Sequence, residues 1–129
     1  MKYDFLIDRR KIIVSATIKG ISDSKDFKFI IDTGSSKTVI DEDVAIRLGF
    51  DINRLKTGDR LMTAGGGKHS KILKLSKFSL FGNDMVNFEV NVIRFPSQIT
   101  YFADGLLGMD FLLQFKTIKF DFDAKTIEI

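Results

Sequence analysis

The stretch Phe27-Lys28-Phe29-Ile30-Ile31-Asp32-Thr33-Gly34-Ser35-Ser36 decides the fold of this 129-residue chain. Its first five residues are mostly apolar and rich in strand-forming types, so they predict a buried strand. Asp32 follows this strand directly, and Gly34 allows the chain to turn tightly behind it. Such a strand and turn would carry one carboxylate into a site and aim backbone and hydroxyl donors at it. The tripeptide Asp32-Thr33-Gly34 alone is weak evidence for such a site.

Two further segments support a site built around this turn. Gly105-Leu106-Leu107-Gly108 places two large aliphatic residues next to glycine, and glycine is needed where two backbones approach closely. Between these segments, residues 61–63 predict a strand that enters the glycine-rich tip Ala64-Gly65-Gly66-Gly67. Three elements in this order are a far more specific indication of such a site than the tripeptide Asp-Thr-Gly alone.

In this order, the three segments resemble those of the retropepsin-like aspartic proteases, and the resemblance extends from about Ile12 to Ile129. It implies a peptide-cleaving enzyme in which Asp32 is the catalytic residue. The implied active-site support consists of Thr33, Gly34, Ser35, Leu106, Leu107 and Gly108. The last three are implied to pack on the catalytic turn, with glycine where the two backbones approach closely. The implied flap, which closes over the substrate through backbone hydrogen bonds, consists of Ala64, Gly65, Gly66 and Gly67.

The implied reaction needs two carboxylates, whereas the chain has one Asp-Thr-Gly sequence. Asp104 is the nearest rival, but Gly105 follows it without an intervening hydroxyl residue, which suits a turn better. A two-fold homodimer would supply the second Asp32, because a residue near the axis meets its own copy. Two carboxylates about 3 Å apart cannot both ionise, so they share one proton and together activate a water molecule. We expect a peptide or protein substrate, no cofactor and no metal.

The residues beside Asp32 have distinct implied roles. The Thr33 hydroxyl is expected to bond to the turn of the partner chain, and the Gly34 amide to donate to the Asp32 carboxylate. Ser35 occupies a position where a hydroxyl can bond to the outer carboxylate oxygen. Because such a bond favours the charged carboxylate, it predicts a more acidic pH optimum than in a Ser35→Ala variant.

Other interpretations of these residues stay open. Asp32 could be a turn residue in a catalytically silent dimer that binds extended peptides in the same groove by strand addition. Asp110 could be mistaken for a second catalytic acid, although at the start of a predicted helix it favours the helix dipole. His69 is the single histidine, and we expect an exposed flap residue rather than a metal ligand.

The remaining pattern predicts a mostly β domain, a small and partly closed barrel with one or two short helices, over residues 1–129 as a single domain. Lys11 to Lys19 alternates as a half-buried strand should, and Asp41 caps a helix over 42–48 that Gly49 ends. A polar turn is predicted over 20–26, further strands over 60–64, 68–75, 78–81, 86–93, 117–122 and 126–129, and a second helix over 109–115. The last two strands favour a hairpin, which leaves open which end of the chain forms the dimer interface.

Composition limits the alternatives. With 44% hydrophobic residues the chain can bury one core, and without cysteine it has no disulfide to stabilise the fold. The net charge of +3 comes mainly from lysines at alternate strand positions, so nucleic-acid binding is a third and weaker alternative. Residues 1–10 contain only three consecutive apolar residues, too few for a signal peptide or a membrane span. We expect a cytoplasmic protein with no nucleic-acid or membrane partner.

Overall fold

A computed structural model describes residues 1–63 and 66–129, including all of their side chains except those of residues 62 and 63. Two predicted flap residues, Ala64 and Gly65, lie outside the described residues. The strands are β1 Lys2–Asp4, β2 Leu6–Asp8, β3 Lys11–Lys19, β4 Ser24–Ile31, β5 Val39–Asp41, β6 Lys56–Thr63, β7 Gly66–Leu80, β8 Asn83–Ile93, β9 Gly105–Leu107, β10 Lys119–Asp121 and β11 Thr126–Glu128. The helices are α1 Glu42–Arg47, α2 Ser97–Thr100 and α3 Met109–Leu112, with one 3₁₀ turn at Ile52–Arg54.

The main sheet curls round and partly closes on itself. Within the described residues it has eight strands in the order β2-β3-β4-β9-β5-β8-β7-β6, and an additional pairing of β3 with β7 joins strands that are distant in this order. The predicted mostly β, partly closed barrel is thus confirmed. Its interior is packed with phenylalanine and branched aliphatic side chains, the largest of which are Phe27, Phe29, Phe78, Phe111, Ile18, Ile40, Leu75 and Leu107.

The hairpin of β3 and β4 leads into the turn of interest. Along β3, Ala16 and Ile18 are buried whereas Thr17 is exposed, as the two-residue period of a strand requires. The β4 strand starts at Ser24, earlier than the predicted start at residue 27. The polar residues there extend the ladder because they lie on the exposed side of the hairpin, where the Thr17 hydroxyl donates to Asp26 Oδ1 over 2.6 Å.

Helix α1 forms where the sequence predicts it. Asp41 is its N-cap and accepts from the backbone N–H of Asp43 over 3.2 Å, which satisfies one of the open amides of the first turn. Gly49 ends the helix with φ +95°, a backbone conformation that favours glycine. The predicted second helix is shorter than expected, since α3 ends at Leu112. No helix in residues 1–63 and 66–129 is long and apolar enough to cross a membrane.

A long antiparallel arm is formed by β6, β7 and β8. The sequence predicts a strand end near residue 75, but β7 continues to Leu80. The reason is that the buried face changes at Ser76. Leu73 and Leu75 are buried before this residue, and Phe78 is buried after it. Opposite this point, Asn87 of β8 has φ +54°, so both strands twist together and the ladder continues. The broken alternation marks a twist here, not a turn.

The two chain ends meet in a small separate sheet with the order β1-β11-β10. The C-terminal hairpin of β10 and β11 is confirmed, whereas β1 and β2 were not predicted. The amino group of Met1 donates to Ile129 O, and Ile129 N donates to Met1 O, each over 3.0 Å. The terminal strands therefore pair within one chain.

Candidate active site

The end of β4 fixes the backbone of Asp32. The Asp32 N–H donates to Leu107 O over 2.9 Å, and Ser35 N donates back to Asp32 O over 3.1 Å to close the turn. The Gly34 N–H donates to Asp32 Oδ1 over 3.0 Å, which is the hydrogen bond predicted from the sequence. The side chain of Asp32 is half-buried, so its carboxylate is oriented and still accessible.

The segment Gly105-Leu106-Leu107-Gly108 lies directly behind this turn. Strand β9 pairs in parallel with β4 and places Leu106 beside Ile30 and Leu107 beside Ile31. A Cβ atom on Gly105 would overlap the Phe29 ring, so glycine allows the two strands to approach. The segment therefore fixes the depth at which β4 delivers Asp32.

Gly108 lies in an even tighter contact. A Cβ atom at this position would lie 2.5 Å from both the carbonyl carbon and oxygen of Lys37 and 2.9 Å from Ser35 O. These are backbone atoms of the chain that leaves the Asp32 turn, so they cannot move aside cheaply. The next residue, Met109, donates its N–H to Ser35 O over 2.8 Å. The glycine is thus required for the two backbones to be bonded to each other.

A buried polar network, formed by Thr38 and Asp110, was not predicted. Thr38 is fully buried; its hydroxyl donates to Asp110 Oδ1 over 2.7 Å and accepts from Gly108 N over 3.1 Å. Its N–H donates to Asp110 Oδ2 over 3.0 Å. Asp110 also accepts from Phe111 N at Oδ1, over 2.9 Å, which fits its predicted place at a helix start. The bonds to Thr38 are an additional role that was not predicted. The main function of this carboxylate is to join the Asp32 turn to α3.

The predicted role of Ser35 is not seen in this structure. Its hydroxyl donates to Lys37 O over 2.6 Å, and a serine hydroxyl has one hydrogen to donate. The reason is local: the turn brings the carbonyl two residues ahead under the hydroxyl. The predicted bond to the Asp32 carboxylate is therefore absent here, and the predicted acidic shift of the pH optimum loses its physical basis. Thr33 is exposed at the tip of the turn.

Asp104, the rival carboxylate, has a structural role. Its Oδ2 accepts from Lys28 N over 2.8 Å, its N–H donates to Lys28 O over 2.7 Å, and its carbonyl accepts from Asp41 N over 3.0 Å. It ties the turn before β9 to β4 and β5, as the turn interpretation predicts, and it does not line the groove beside Asp32.

A groove of about 580 Å³ opens beside Asp32. Its apolar walls are formed by Ile30, Ile31, Val39, Leu61, Ile93, Phe95, Pro96, Ile99 and Leu106. Its polar lining comes from Asp32, Gly34, Ser35 and Ser36, together with Lys11 and Lys37. In the part of the chain that the structure describes, Asp32 is the only carboxylate that lines it. The groove can therefore hold an extended chain with apolar side chains next to a single acid.

The described part of the predicted flap belongs to the hairpin of β6 and β7. Gly66 pairs with Thr63 and Gly67 with Met62, so the arm reaches the groove, to which it contributes Leu61. His69 lies further along β7, exposed and paired with Arg60. Among residues 1–63 and 66–129, no group of three histidine, cysteine or acidic residues is arranged to hold a metal ion.

One carboxyl group away from the groove has a shifted pKa. The Ser79 hydroxyl donates to Asp84 Oδ1 over 2.6 Å, and Lys77 Nζ lies 3.4 Å from Asp84 Oδ2. These contacts, Ser79 first, hold the pKa of Asp84 below its usual 3.8 and outweigh the opposing effect of desolvation. Because Asp84 is exposed in the turn between β7 and β8, the shift concerns the surface and not the site.

Comparison with known proteins agrees with this geometry. The family model described as "Aspartyl protease" matches residues 14–111, which include the Asp32 turn and the segment behind it. The chain therefore belongs to the aspartyl protease family. A curated relative, "Uncharacterized protein RP867" of Rickettsia prowazekii (strain Madrid E), is 32% identical over 96 residues, or 74% of this chain. The chain spans 39% of the length of that relative.

Solved structures show the same fold. A retropepsin-like aspartic protease from Rickettsia conorii has a TM-score of 0.74 and 23% identity, over 98% of this chain and 88% of its own. EIAV protease, in complex with the inhibitor HBY-793, has a TM-score of 0.64 and 18% identity, over 82% and 88%. The retroviral protease-like domain of Ddi1 from Leishmania major has a TM-score of 0.61 and 19% identity, over 92% and 87%. The fold is thus retropepsin-like.

Proposed function

We propose that this protein is an aspartic endopeptidase that cleaves peptide bonds with two copies of Asp32, one from each subunit of a homodimer. The observation that carries the proposal is the orientation of the Asp32 carboxylate and its position at the groove. Its carboxylate is oriented by Gly34 at the side of an apolar groove, in a chain that belongs to the aspartyl protease family. An accessible, oriented acid beside an apolar groove is the arrangement expected of a catalytic carboxylate.

The chemistry follows from bringing two such carboxylates together. Like charges at about 3 Å cannot both ionise, so the pair keeps one proton. The ionised member takes a proton from a water molecule, and the resulting hydroxide attacks the peptide carbonyl carbon while the protonated member donates to the carbonyl oxygen. Collapse of the tetrahedral intermediate breaks the C–N bond, and the amine leaves with a proton from the pair. The pair acts as a unit, so neither copy of Asp32 owns one role in the free enzyme.

The second copy must approach the exposed tip of the turn, Thr33 and Gly34. The terminal strands are already paired within the chain, so we place the subunit contact on β2. Among residues 1–63 and 66–129, this strand pairs only with β3, at the end of the main sheet. Leu6 is 59% exposed and Ile7 43% exposed, on opposite faces of the strand. An edge with apolar side chains on both faces is suited to be covered by another chain.

The test is the cleavage of a complex peptide mixture by the wild type and by Asp32→Asn, from about pH 4 to pH 7, at protein concentrations that favour the dimer. Asp123→Asn is the matched control, because Asp123 is exposed in the turn between β10 and β11. We expect the wild type and the control to cut the same bonds and Asp32→Asn to cut none. Cleavage that persists in Asp32→Asn would overturn the proposal.

The alternative is a catalytically silent dimer that binds extended peptides in the same groove. It predicts no cleavage by any of the three proteins, while peptides bind equally to the wild type and to Asp32→Asn. Binding without cleavage would therefore assign the groove to peptide recognition alone.

A further inference from the structure

We propose that the groove beside Asp32 selects peptides in which an acidic residue lies close to the apolar residues at the cleaved bond. The inference rests on the proposed function for the place where the peptide binds. It adds a preference for charge at the positions that flank the cleaved bond.

The first part of the inference comes from the groove walls. Nine of its lining side chains are aliphatic, aromatic or proline. Val39, Ile93 and Phe95 among them are at most 6% exposed, so they form a fixed apolar surface. Burial of an apolar peptide side chain against such a surface is favourable in proportion to the area covered. The groove therefore favours apolar residues at the centre of the bound peptide.

The second part comes from two lysines that line the same groove. Lys37 belongs to the chain leaving the Asp32 turn, and Lys11 is the first residue of β3. Both side chains are exposed. Within the described residues no carboxylate lies within 4.0 Å of either ammonium group, since the ion pairs found involve other residues. Among the described residues, neither of these positive charges at the groove thus has a carboxylate partner.

Lys11 is also held in position. Its Nζ lies 5.5 Å from the centre of the Phe102 ring, and the neighbouring Arg9 lies over the rings of Tyr101 and Phe102 at 5.0 Å and 5.7 Å. Contacts between cations and aromatic rings restrict side chains that would otherwise be mobile. The positive charge at this end of the groove therefore has a defined position. The lysine side chain loses less conformational freedom when a peptide carboxylate binds to it.

The charge balance of the assembled site favours the same conclusion. Each copy contributes Lys11 and Lys37, whereas the pair of Asp32 carboxylates shares a proton and has one negative charge. The groove of a dimer is therefore positive overall, and its low-dielectric walls strengthen the field. A glutamate or aspartate of the peptide is attracted, and a lysine or arginine at the same position is repelled.

The experiment uses fluorescent decapeptides with a central Phe-Leu pair and with glutamate, glutamine or lysine at each flanking position in turn. The wild type gives kcat/KM, and Asp32→Asn gives the Kd without cleavage. We expect the best glutamate peptide to exceed its glutamine isostere by about two- to fivefold for each lysine engaged, with lysine peptides last. This preference should weaken at high salt.

Charge-reversal variants test whether the two groove lysines cause the preference. Lys37→Glu and Lys11→Glu should abolish or invert the preference for glutamate over lysine. Lys74→Glu is the matched control: it changes the net charge equally on an exposed position of β7 that does not line the groove. The control should keep the wild-type preference.

The outcomes separate this inference from the proposed function. Cleavage with equal rates for glutamate, glutamine and lysine peptides would overturn the inference and leave the endopeptidase intact. A charge preference in binding without any cleavage would support the inference and overturn the endopeptidase. A charge preference that persists in both Lys37→Glu and Lys11→Glu would also overturn the inference. The absence of binding to every peptide would overturn both the inference and the endopeptidase.

Discussion

Replacement of Thr38 by valine tests the polar network behind the active-site turn. Valine keeps the shape of threonine and has a methyl group in place of the hydroxyl. That hydroxyl donates to Asp110 Oδ1 over 2.7 Å and accepts from Gly108 N over 3.1 Å, and the residue has no exposed surface. The variant therefore removes one buried and one partly buried hydrogen bond without opening a cavity.

The expected cost follows from these two bonds. The Gly108 N–H loses its acceptor in a place that water does not reach, which costs about 1–3 kcal/mol. Loss of the bond to the charged Asp110 costs about 1.5 kcal/mol, the low end of the range for hydrogen bonds to charged groups. The cost is low because Asp110 Oδ1 still accepts from the N–H of Phe111. We expect a loss of about 2.5–4.5 kcal/mol, a large part of the ~5–15 kcal/mol that stabilises a typical domain. With a urea slope of about 2 kcal/mol/M, the middle of the usual range, the midpoint should fall by roughly 1–2 M.

The assay is urea unfolding at one fixed protein concentration, because a dimer adds a concentration-dependent term. Thr17→Val is the matched control: its hydroxyl donates to Asp26 over 2.6 Å, but both residues are exposed, so we expect a change within about 0.5 kcal/mol. Equal, small shifts for the two variants would refute the reasoning. Asp110→Asn should also destabilise the fold, because both carboxylate oxygens accept bonds and an amide offers one acceptor oxygen.

Two further predictions concern close contact and assembly. Gly108→Ala places a methyl group 2.5 Å from Lys37 backbone atoms and 2.9 Å from Ser35 O, so it should cost about 1–3 kcal/mol or more in urea unfolding; wild-type stability would contradict the close packing. Leu6→Asp should make the protein monomeric in sedimentation velocity and abolish cleavage, whereas Val86→Asp, at a position 69% exposed on β8, should stay dimeric; a dimeric Leu6→Asp would exclude β2 as the subunit contact.

Most of the features predicted correctly from the sequence have local causes. The alternation of β3, the aspartate and glycine that bound α1 and the apolar run before Asp32 are readable because each depends on neighbours in the chain. The close approach at Gly108 was expected for another reason. It was implied by the resemblance to the retropepsin-like family, in which this segment packs on the catalytic turn.

The features that were missed depend on distant partners. Thr38 and Asp110 are 72 positions apart, and nothing near either residue indicates the other. The pairing of β1 with β11 joins the two chain ends, so short strands become stable through a partner that local propensity does not show. The predicted strand end near Ser76 was wrong because a change of the buried face resembles a turn when only one strand is seen. The opposing Asn87, with φ +54°, explains the difference.

What distinguishes Asp32 from the other carboxylates near the site is the acceptor capacity it has left. Asp110 accepts three hydrogen bonds from the protein, and Asp41 accepts one at each oxygen. Asp104 is bonded through its side chain and both of its peptide groups. Within the part of the chain that the structure describes, Asp32 accepts one, from Gly34, and it alone of the four lines the groove. A carboxylate saturated by its own fold stabilises structure, whereas one that is oriented by a single bond can still bind water and share a proton with its copy.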